Sequence, residues 1–400
     1  MTRKEQFEKI ISLWEENAYE TEYYRQKLVG AGLSDFRLRS KSDFKQLPFM
    51  TKENLRDFSP MQRTNARPED ILSYFSSSGT TGTKTVYAFS REDKKVQEYV
   101  TKKLYTSLGI GPGDIGMIAV PINSGNMGHS MIWQYMVMGG GFYCVDAPDY
   151  ANIKFALKNL PVTVMSTLPS LALLMNSSEE DREIARQSSI RMLLAGGDII
   201  SEPRRRQIEE LYNARLYNSF GMSEIFGPTA NEGPDQDGFR YCDDVLFMEI
   251  LDPDTLEEVP DGETGIACYT ALWHKASPLI RYRTDDLICK ISKVGEDGLP
   301  RFYHKGRLSF SRKNDAGKLV TGYDIERVLS KHLYESSYYI GVHVDGTMTL
   351  HMVNERLADA VDSEKQLAED MSELMRCKVH IKRNIEKSEF DYKMHTFRQE

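Results

Sequence analysis

Short apolar runs alternate with amphipathic segments between about residues 115 and 220. A short apolar run bounded by turn residues predicts a strand, and helically spaced apolar positions predict a helix. Regular alternation of the two predicts a layered α/β domain with parallel strands. The predicted strands cover residues 115–121, 141–145, 162–166, 190–195 and 216–219, and the predicted helices cover residues 131–138, 153–159, 169–176 and 202–212.

A different pattern begins near residue 239. Short alternating segments at 247–251, 265–270 and 287–291 are separated by the turn-forming sequences DPDT, DGETG and GEDG. Apolar and polar residues that alternate between such turns predict an additional antiparallel β region. Near the other end of the chain, residues 4–30 have helical spacing and predict one or two helices.

The C-terminal part of the chain is predicted to form a small α+β lid domain. Helices are expected over residues 324–332 and 364–375, and strands over residues 338–344, 347–353 and 379–383. The change of pattern and the size of this part are typical of a separate domain. We therefore expect a large N-terminal domain at residues 1–306 and a lid domain at residues 307–400.

Composition narrows the class of protein. The net charge of −8 argues against a general nucleic-acid binder, which usually has a basic excess. No apolar run reaches the length of about 18 residues that a membrane span requires, and the N-terminus lacks the apolar core of a secretory signal. The five cysteines are scattered and form no CxxC pair, so we expect reduced thiols in a cytoplasmic protein.

Residues 76–84 read SSSGTTGTK and give the strongest local signal of function. Glycines let a backbone approach a ligand closely, and successive N–H groups and hydroxyls can surround phosphate oxygens. Lys84 adds a positive charge. The segment is not a Walker A loop, because Gly79 and Gly82 are too close together. The alternative interpretation is a flexible Ser/Gly loop.

Two further segments follow predicted strands. The sequence AGGD at 195–198 would let a flat ring lie against the backbone, although by itself it is better explained as a strand-to-helix turn. In YNSFGMSE at 217–224, Phe220 could stack on a purine, Ser223 could bind a phosphate oxygen and Glu224 could hold Mg²⁺. The alternative is a turn followed by a capping serine.

The sequence RYRTDD at 281–286 places carboxylates at the start of a predicted strand, followed later by KGR at 305–307. A carboxylate can accept hydrogen bonds from two ribose hydroxyls. The alternative is a surface charge cluster whose ion pairs contribute little energy.

These five segments, in this order, resemble the adenylate-forming enzymes, which include acyl-CoA synthetases, luciferase and peptide-synthetase adenylation domains. The chain looks most like the phenylacetate–CoA ligase branch, whose motifs are SSGTTG, YGxSE followed by GP, and PLxRYRTxD. Here they read SSGTTG at 77–82, FGMSE at 220–224 with GP at 227–228, and PLIRYRTDD at 278–286.

The resemblance implies a set of ATP- and AMP-binding residues. It places the triphosphate on the Ser/Gly loop, the adenine near Gly197, Asp198 and Phe220, the α-phosphate on Ser223, Mg²⁺ on Glu224 and the ribose on Asp286. The tail lysine that enters the site for adenylation is assigned to Lys393, with Lys387 as the alternative. The full nucleotide set is Ser77, Ser78, Gly79, Thr80, Thr81, Gly82, Lys84, Gly196, Gly197, Asp198, Ser219, Phe220, Gly221, Met222, Asp286 and Arg307, and the catalytic set is Lys393, Glu224 and Ser223.

The acyl pocket is expected where a polar, glycine-containing stretch follows the strand at 115–121. Its candidates are Asn123, Gly125, Asn126, Met127 and His129, and small residues with a methionine suit an apolar or aromatic acid. A lone histidine such as His129 is more often structural than catalytic. The residues that follow were assigned to the helix core rather than to ligand contacts: Met131, Trp133, Tyr135 and Met136.

The resemblance implies ATP and Mg²⁺ as cofactors, a carboxylic acid as substrate and coenzyme A as acceptor of the acyl group. One departure bears on the acceptor: the family's hinge motif Gly-Arg-x-Asp has Ser309 in place of the acid. An amine or a carrier protein therefore remains an alternative acceptor, and a non-catalytic nucleotide-binding relative is a third hypothesis. A homodimer is left open.

Overall fold

The computed structural model describes residues 1–77, 84–122, 126–225, 227–291, 294–295, 297–332, 337–353, 361–383 and 396–400. Four helices open the chain. Each begins after a hydroxyl side chain that accepts a hydrogen bond from a backbone N–H of the first turn, the usual way of satisfying a helix start. They are α1 (Arg3–Glu16), α2 (Glu22–Gly30), α3 (Lys41–Gln46) and α4 (Lys52–Asp57).

An antiparallel hairpin and a long helix follow. The hairpin consists of β1 (Ile71–Ser76) and β2 (Val86–Ser90), and α5 (Arg91–Tyr105) continues directly from it. Ser90 and Asp93 form a capping box at the start of α5, so the end of β2 fixes where this helix begins.

The predicted α/β alternation is confirmed. Five strands pair in parallel in the order β7-β6-β5-β3-β4. One helix begins earlier than predicted, at Met127, and the helix Glu179–Gln187 was not predicted. The elements are β3 (Ile115–Val120), α6 (Met127–Met138), β4 (Gly141–Asp146), α7 (Tyr150–Asn159), β5 (Val164–Thr167), α8 (Pro169–Ala172), α9 (Glu179–Gln187), β6 (Met192–Gly196), α10 (Glu202–Tyr212) and β7 (Arg215–Met222).

The antiparallel strands continue the same sheet instead of forming a separate one. Strand β7 pairs in parallel with β6 and antiparallel with β8, and the eleven strands have the order β10-β11-β12-β13-β9-β8-β7-β6-β5-β3-β4. The added strands are β8 (Gly227–Glu232), β9 (Phe239–Tyr241), β10 (Leu246–Leu251), β11 (Thr264–Ala271), β12 (Tyr282–Ile291) and β13 (Arg301–Arg307).

The sheet has a hydrophobic core on each side of its parallel part. One core joins β3, β5 and β6 to α7, α9 and α10 and includes Met165, Leu193 and Ile208. The other extends from the N-terminal helices across α5 and α6 to the antiparallel strands and includes Trp14 and Phe302. Within the described residues, no helix combines the length and the apolar character that crossing a membrane demands.

Arg281 ties the N-terminal helices to the antiparallel strands. Its side chain is 5% exposed and lies 3.2 Å from the Glu249 carboxylate, and it also donates to the carbonyl oxygen of Leu47 at 2.9 Å. Met50 donates a backbone hydrogen bond to Arg281, and Arg283 donates one back to Met50. Burial raises the pKa of Glu249, and the charge of Arg281 opposes that rise. Loss of either side chain would leave the other one buried without a counter-charge.

The C-terminal part has its own sheet and core. After a small ladder of β14 (Arg312–Lys313) and β15 (Leu319–Val320), the four strands have the order β18-β17-β16-β19. The elements are α11 (Gly322–His332), β16 (Ser337–Val342), β17 (Met348–Val353), α12 (Val361–Met375), β18 (Val379–Arg383) and β19 (Thr396–Gln399). The boundary at residues 306 and 307 stays a prediction.

Helix α11 lies against α10 of the large sheet. Arg204 pairs with Glu326 at 2.9 Å, and the hydroxyls of Ser201 and Ser330 are 2.6 Å apart. Where β13 ends, the backbones of two glycines meet: a Cβ on Gly306, whose φ is +99°, would lie 3.2 Å from the Cα of Gly322. This junction therefore has no room for a side chain.

We expect Arg281→Met to lower the free energy of unfolding by about 3–5 kcal/mol, because it leaves the Glu249 carboxylate buried without its ion-pair partner. Chemical denaturation followed by tryptophan fluorescence measures the loss. Lys313→Met is the control, since its partner Asp254 lies on the surface and the loss should stay below about 1 kcal/mol. Equal stabilities of the two variants would contradict this account of Arg281.

Candidate active site

The predicted AGGD turn lies where the parallel strands end. In such sheets ligands bind beyond the carboxyl ends of the strands. Gly196 pairs with Ser219 of β7, and a Cβ on Gly196 would lie 2.2 Å from the Ser219 carbonyl oxygen, so only glycine fits. Gly197 has a φ of +81°, and a Cβ there would lie 3.1 Å from the Met127 side chain. The structure thus brings the glycine pair, β7 and the first turn of α6 together.

Phe220 joins this edge to the antiparallel strands. Its half-buried ring lies 5.2 Å from the His304 ring and 5.6 Å from the Phe302 ring, both of which belong to β13. His304 Nε2 is in turn 3.2 Å from Asp286 Oδ1 on β12, and Asp286 is paired in register with Arg307. Phe220, His304, Asp286 and Arg307 therefore lie next to one another in sequence of contact.

Asp286 is a buried carboxylate that stays ionised. Burial favours its neutral form, but the hydrogen bond with His304 and the charges of His304, Arg307 and Lys52 hold the pKa of Asp286 below its ordinary value. An ionised carboxylate accepts hydrogen bonds without competing protons, which suits recognition of ribose hydroxyls. His304 and Lys52 were missed in the sequence, where nothing placed either residue beside Asp286.

Glu224 lies between two buried tyrosines from different strands. Tyr282 of β12 donates its hydroxyl to Glu224 Oε1 at 3.2 Å, and Tyr87 of β2 lies beside the same carboxylate. Burial, followed by the charge of Glu224, raises the pKa of both tyrosines. These contacts fix Glu224 relative to the hairpin; sequence reasoning missed both tyrosines because they look like ordinary strand residues.

The residues near Glu224 fit a magnesium ion that is held mainly by phosphate oxygens. Within the described ranges, no group of three or more His, Cys, Asp or Glu side chains is arranged to hold a metal. Mg²⁺ is commonly held by one or two carboxylates, with substrate phosphates and waters as the other ligands. A single carboxylate at Glu224, with half-buried Ser223 next to it, matches that requirement.

Ser77 and Thr85 are hydrogen-bonded to each other at the two ends of the predicted phosphate loop. The Ser77 backbone N–H donates to the Thr85 carbonyl oxygen at 2.8 Å, and the Thr85 N–H donates to the Ser77 hydroxyl at 3.1 Å. Lys84 is exposed next to this closure. The other predicted loop residues, Ser78, Gly79, Thr80, Thr81 and Gly82, lie outside the described residues.

The first turn of α6 carries the described part of the predicted acyl pocket. Asn126 is buried, Met127 reaches Gly197, and the exposed His129 has its ring 5.4 Å from that of Phe75 on β1. Gly227 approaches the same turn so closely that a Cβ would lie 2.5 Å from the Ser130 hydroxyl. Asn123 and Gly125 lie outside the described residues.

Some predicted site residues are hydrogen-bonded to other protein groups, and others lie at the end of β7 or outside the described residues. The Ser219 hydroxyl is 2.9 Å from the buried Tyr105 hydroxyl, and Asp198 accepts a hydrogen bond from the Ile199 N–H at 2.7 Å. Gly221 is exposed and Met222 half-buried at the end of β7. Lys387 and Lys393 lie outside the described residues.

Ser309, at the predicted hinge position, is bonded to an acidic residue of β12. The Ser309 backbone N–H donates to Asp285 Oδ1 at 3.1 Å, and the Ser309 hydroxyl also bonds to Asp285. Burial raises the pKa of Asp285 while the Ser309 hydrogen bonds lower it. A carboxylate of β12 therefore lies beside Ser309.

A family model described as AMP-binding enzyme matches residues 12–271, which is more than half of the chain. The chain belongs to the AMP-binding enzyme family. Among curated members, the phenylacetate-coenzyme A ligase of Thermus thermophilus is 29% identical over 268 residues, covering 66% of this chain and 60% of that protein. The chain thus spans less than two thirds of the length of this family member.

Solved structures show the same fold. A 2-hydroxyisobutyryl-CoA ligase in the postadenylation state, in complex with 2-HIB-AMP, aligns with a TM-score of 0.85 at 18% identity, covering 99% of this chain and 89% of that chain. The same ligase in the thioesterification state, with 2-HIB-AMP and CoA, aligns with a TM-score of 0.71 at 19% identity over the same shares of the two chains. The two alignments cover the same shares of both chains and differ in TM-score.

We expect His304→Leu to lower the free energy of unfolding at pH 7 by about 1–3 kcal/mol, because Asp286 loses its hydrogen-bond partner in a buried position. The folded-state pKa of Asp286 is depressed, so the stabilisation is complete above the unfolded-state pKa of about 3.9 and is lost as the pH falls through the folded-state pKa. Denaturation at several pH values measures the effect.

The matched control is His332→Leu, which removes a histidine 3.0 Å from Asp370, a carboxylate that is 27% exposed. Its loss should be below about 1 kcal/mol. A His304→Leu penalty that matches the control, or that grows towards low pH, would contradict the role given to His304.

Proposed function

We propose that this chain activates a carboxylic acid with ATP and Mg²⁺, forms an acyl-adenylate with release of pyrophosphate, and transfers the acyl group to coenzyme A. One observation carries the proposal. Phe220 contacts His304, and His304 contacts Asp286, beside the strand end where Gly197 is exposed. These residues offer a stacking ring, an exposed turn of backbone and an ionised carboxylate, the groups needed by adenine and ribose.

The chemistry requires control of negative charge. An oxygen of the substrate carboxylate attacks the α-phosphorus, the bond from that phosphorus to the bridging oxygen breaks, and pyrophosphate leaves with the electron pair. When bound, Mg²⁺ supplies charge neutralisation to this displacement, and Glu224 is the residue proposed to hold it. Lys84 and the loop at 77–82 are proposed to bind the leaving phosphates, and Ser223 the α-phosphate.

The acid is proposed to bind against the first turn of α6. Asn126, Met127 and His129 lie there, and Asn123 and Gly125 immediately precede them in the chain. In the second step the sulfur of coenzyme A attacks the acyl carbonyl carbon, its proton passes to solvent, and AMP leaves. The names of the curated family members support coenzyme A as the acceptor.

An amine or a carrier protein is the second candidate acceptor. The contact between Ser309 and Asp285 favours it, because a hydroxyl bonded to a carboxylate of β12 stands where the family's hinge has an acid. We also propose a cytoplasmic location, in keeping with five free cysteines.

We expect the purified chain to release pyrophosphate from ATP and Mg²⁺ with at least one member of an acid panel that includes phenylacetate. Hydroxylamine should trap the adenylate as a hydroxamate, and coenzyme A should convert it to a thioester with release of AMP. Glu224→Gln should lower the rate about 10²–10³-fold, the usual cost of removing a group that stabilises transition-state charge. The exposed Glu257→Gln is the control.

If pyrophosphate is released but the acyl group is transferred only to an amine or a carrier protein, coenzyme A is not the acceptor and the second candidate is correct. No pyrophosphate with any acid, in a sample that binds ATP, would contradict the proposed function.

Lys393→Ala should lose adenylation by about 10²–10³-fold, because a positive charge at the transferring phosphate is removed. Binding of ATP and conversion of supplied acyl-adenylate to thioester should persist. Lys387→Ala is the matched variant and should retain the rate. The reverse result would assign the role to Lys387, and two unaffected variants would remove the tail lysine from the mechanism.

A further inference from the structure

Lys94 is the one lysine of α5 that has no carboxylate partner among the described residues. The other three are paired: Lys95 with Glu92 at 2.7 Å, Lys102 with Glu98 at 2.7 Å, and Lys103 with Asp244 at 3.2 Å. Lys94 instead turns towards α6 and the hairpin.

The Lys94 ammonium lies between two aromatic rings. Its Nζ is 5.5 Å from the Trp133 ring and 5.6 Å from the Phe75 ring, and it donates to Gln97 Oε1 at 2.8 Å. An ammonium has three donors, and an amide oxygen satisfies one of them. Burial lowers the pKa of Lys94, as expected where a charge is partly removed from water without a counter-ion.

A second donor beside Lys94 has no acceptor among the described atoms. Trp133 Nε1 is buried, and no described atom accepts its hydrogen bond. Buried polar groups in folded proteins are almost always paired, so an unpaired indole N–H calls for an explanation. The sequence predicts Trp133 as a residue of the helix core, and its indole N–H is a donor that the described part of this core does not satisfy.

These donors border the acyl site. Trp133 is one helical turn after His129, so the two side chains share a face of α6. The His129 ring lies 5.4 Å from that of Phe75, and the Lys94 Nζ lies 5.6 Å from the same Phe75 ring. Met127, at the start of the same helix, reaches Gly197 of the nucleotide surface. The Lys94–Trp133 pair is thus connected through Phe75 and α6 to the candidate acyl and nucleotide sites.

We propose that Lys94 and Trp133 recognise a second carboxylate on the substrate, so that the acid activated by this chain is a dicarboxylic acid. The inference rests on the proposed function and makes its substrate class specific. A carboxylate would accept from both the ammonium and the indole N–H, and such charge-assisted bonds are stronger than neutral ones. A substrate without an acceptor there would leave both donors unpaired, which is how polar sites reject near analogues.

The test compares acids that differ only at the remote group. Each set has a monoacid, the dicarboxylate and its mono-amide: benzoate, isophthalate and 3-carbamoylbenzoate; phenylacetate, 3-carboxyphenylacetate and 3-carbamoylphenylacetate; butyrate, succinate and succinamate. Pyrophosphate release gives kcat/KM for each. The wild-type chain should prefer the dicarboxylate in at least one set. Lys94→Met should lower that kcat/KM on the order of 10- to 100-fold and leave the monoacid nearly unchanged.

Three further variants separate recognition from packing. Lys94→Arg keeps the charge and should restore the preference to within about tenfold of wild type. Trp133→Phe keeps an aromatic ring but removes the N–H with the rest of the indole, and should reduce the preference. Lys95→Met, at the exposed neighbouring position, should change nothing. The KM for ATP should be the same in all of them, since a raised KM for ATP with unchanged acid preference would assign Lys94 to the nucleotide and overturn the inference.

The inference and the proposed function fail differently. Pyrophosphate release with monoacids alone, or an acid preference that Lys94→Met does not alter, overturns the second-carboxylate site and leaves acid activation intact. Absence of pyrophosphate with every acid contradicts both.

Discussion

The pairing of β7 with two different neighbours is the constraint on which the site depends. One edge of β7 bonds in parallel to β6, and the other bonds antiparallel to β8. This single strand joins the parallel strands and the antiparallel strands into one sheet. Because of it, Phe220 on β7 can reach His304 on β13, and through His304 the parallel half of the sheet is connected to the Asp286 carboxylate of the antiparallel half. Ligand sites at such switches in strand pattern follow from the geometry of open sheets.

Buried charges have two different uses in this fold. Arg281 and Glu249 satisfy each other, and the arginine also bonds to backbone carbonyls, so this pair joins segments and has no capacity left for a ligand. Glu224 is held by a tyrosine hydroxyl that occupies one of its oxygens, and Lys94 by a single amide oxygen. Groups that are positioned but incompletely satisfied are the ones suited to bind something else.

The sequence was sufficient for the elements with strong periodicity. The helix at 202–212 and the strand at 379–383 were predicted with their observed bounds, because each is delimited by clear signals. The helix Glu179–Gln187 was missed, since its charged residues outnumber its apolar ones. Met136 was wrongly assigned to the core; it is 56% exposed, because α6 lies near the sheet edge formed by β4, which no local pattern reveals. His304 and Lys52 were missed for a related reason: their closeness to Asp286 depends on strand register and on docking of the N-terminal helices.

The glycine contact at the end of β13 has an evolutionary consequence. A Cβ on Gly306 would lie 3.2 Å from the Cα of Gly322, and a Cβ on either glycine would lie within 3.0 Å of the Ile199 side chain. A divergent homologue with alanine at 306 must shift the start of α11, whereas alanine at 322 requires the side chain at 199 to move or shorten. Three positions that are far apart in the printed sequence therefore share a single steric constraint, and substitutions among them should be inherited together.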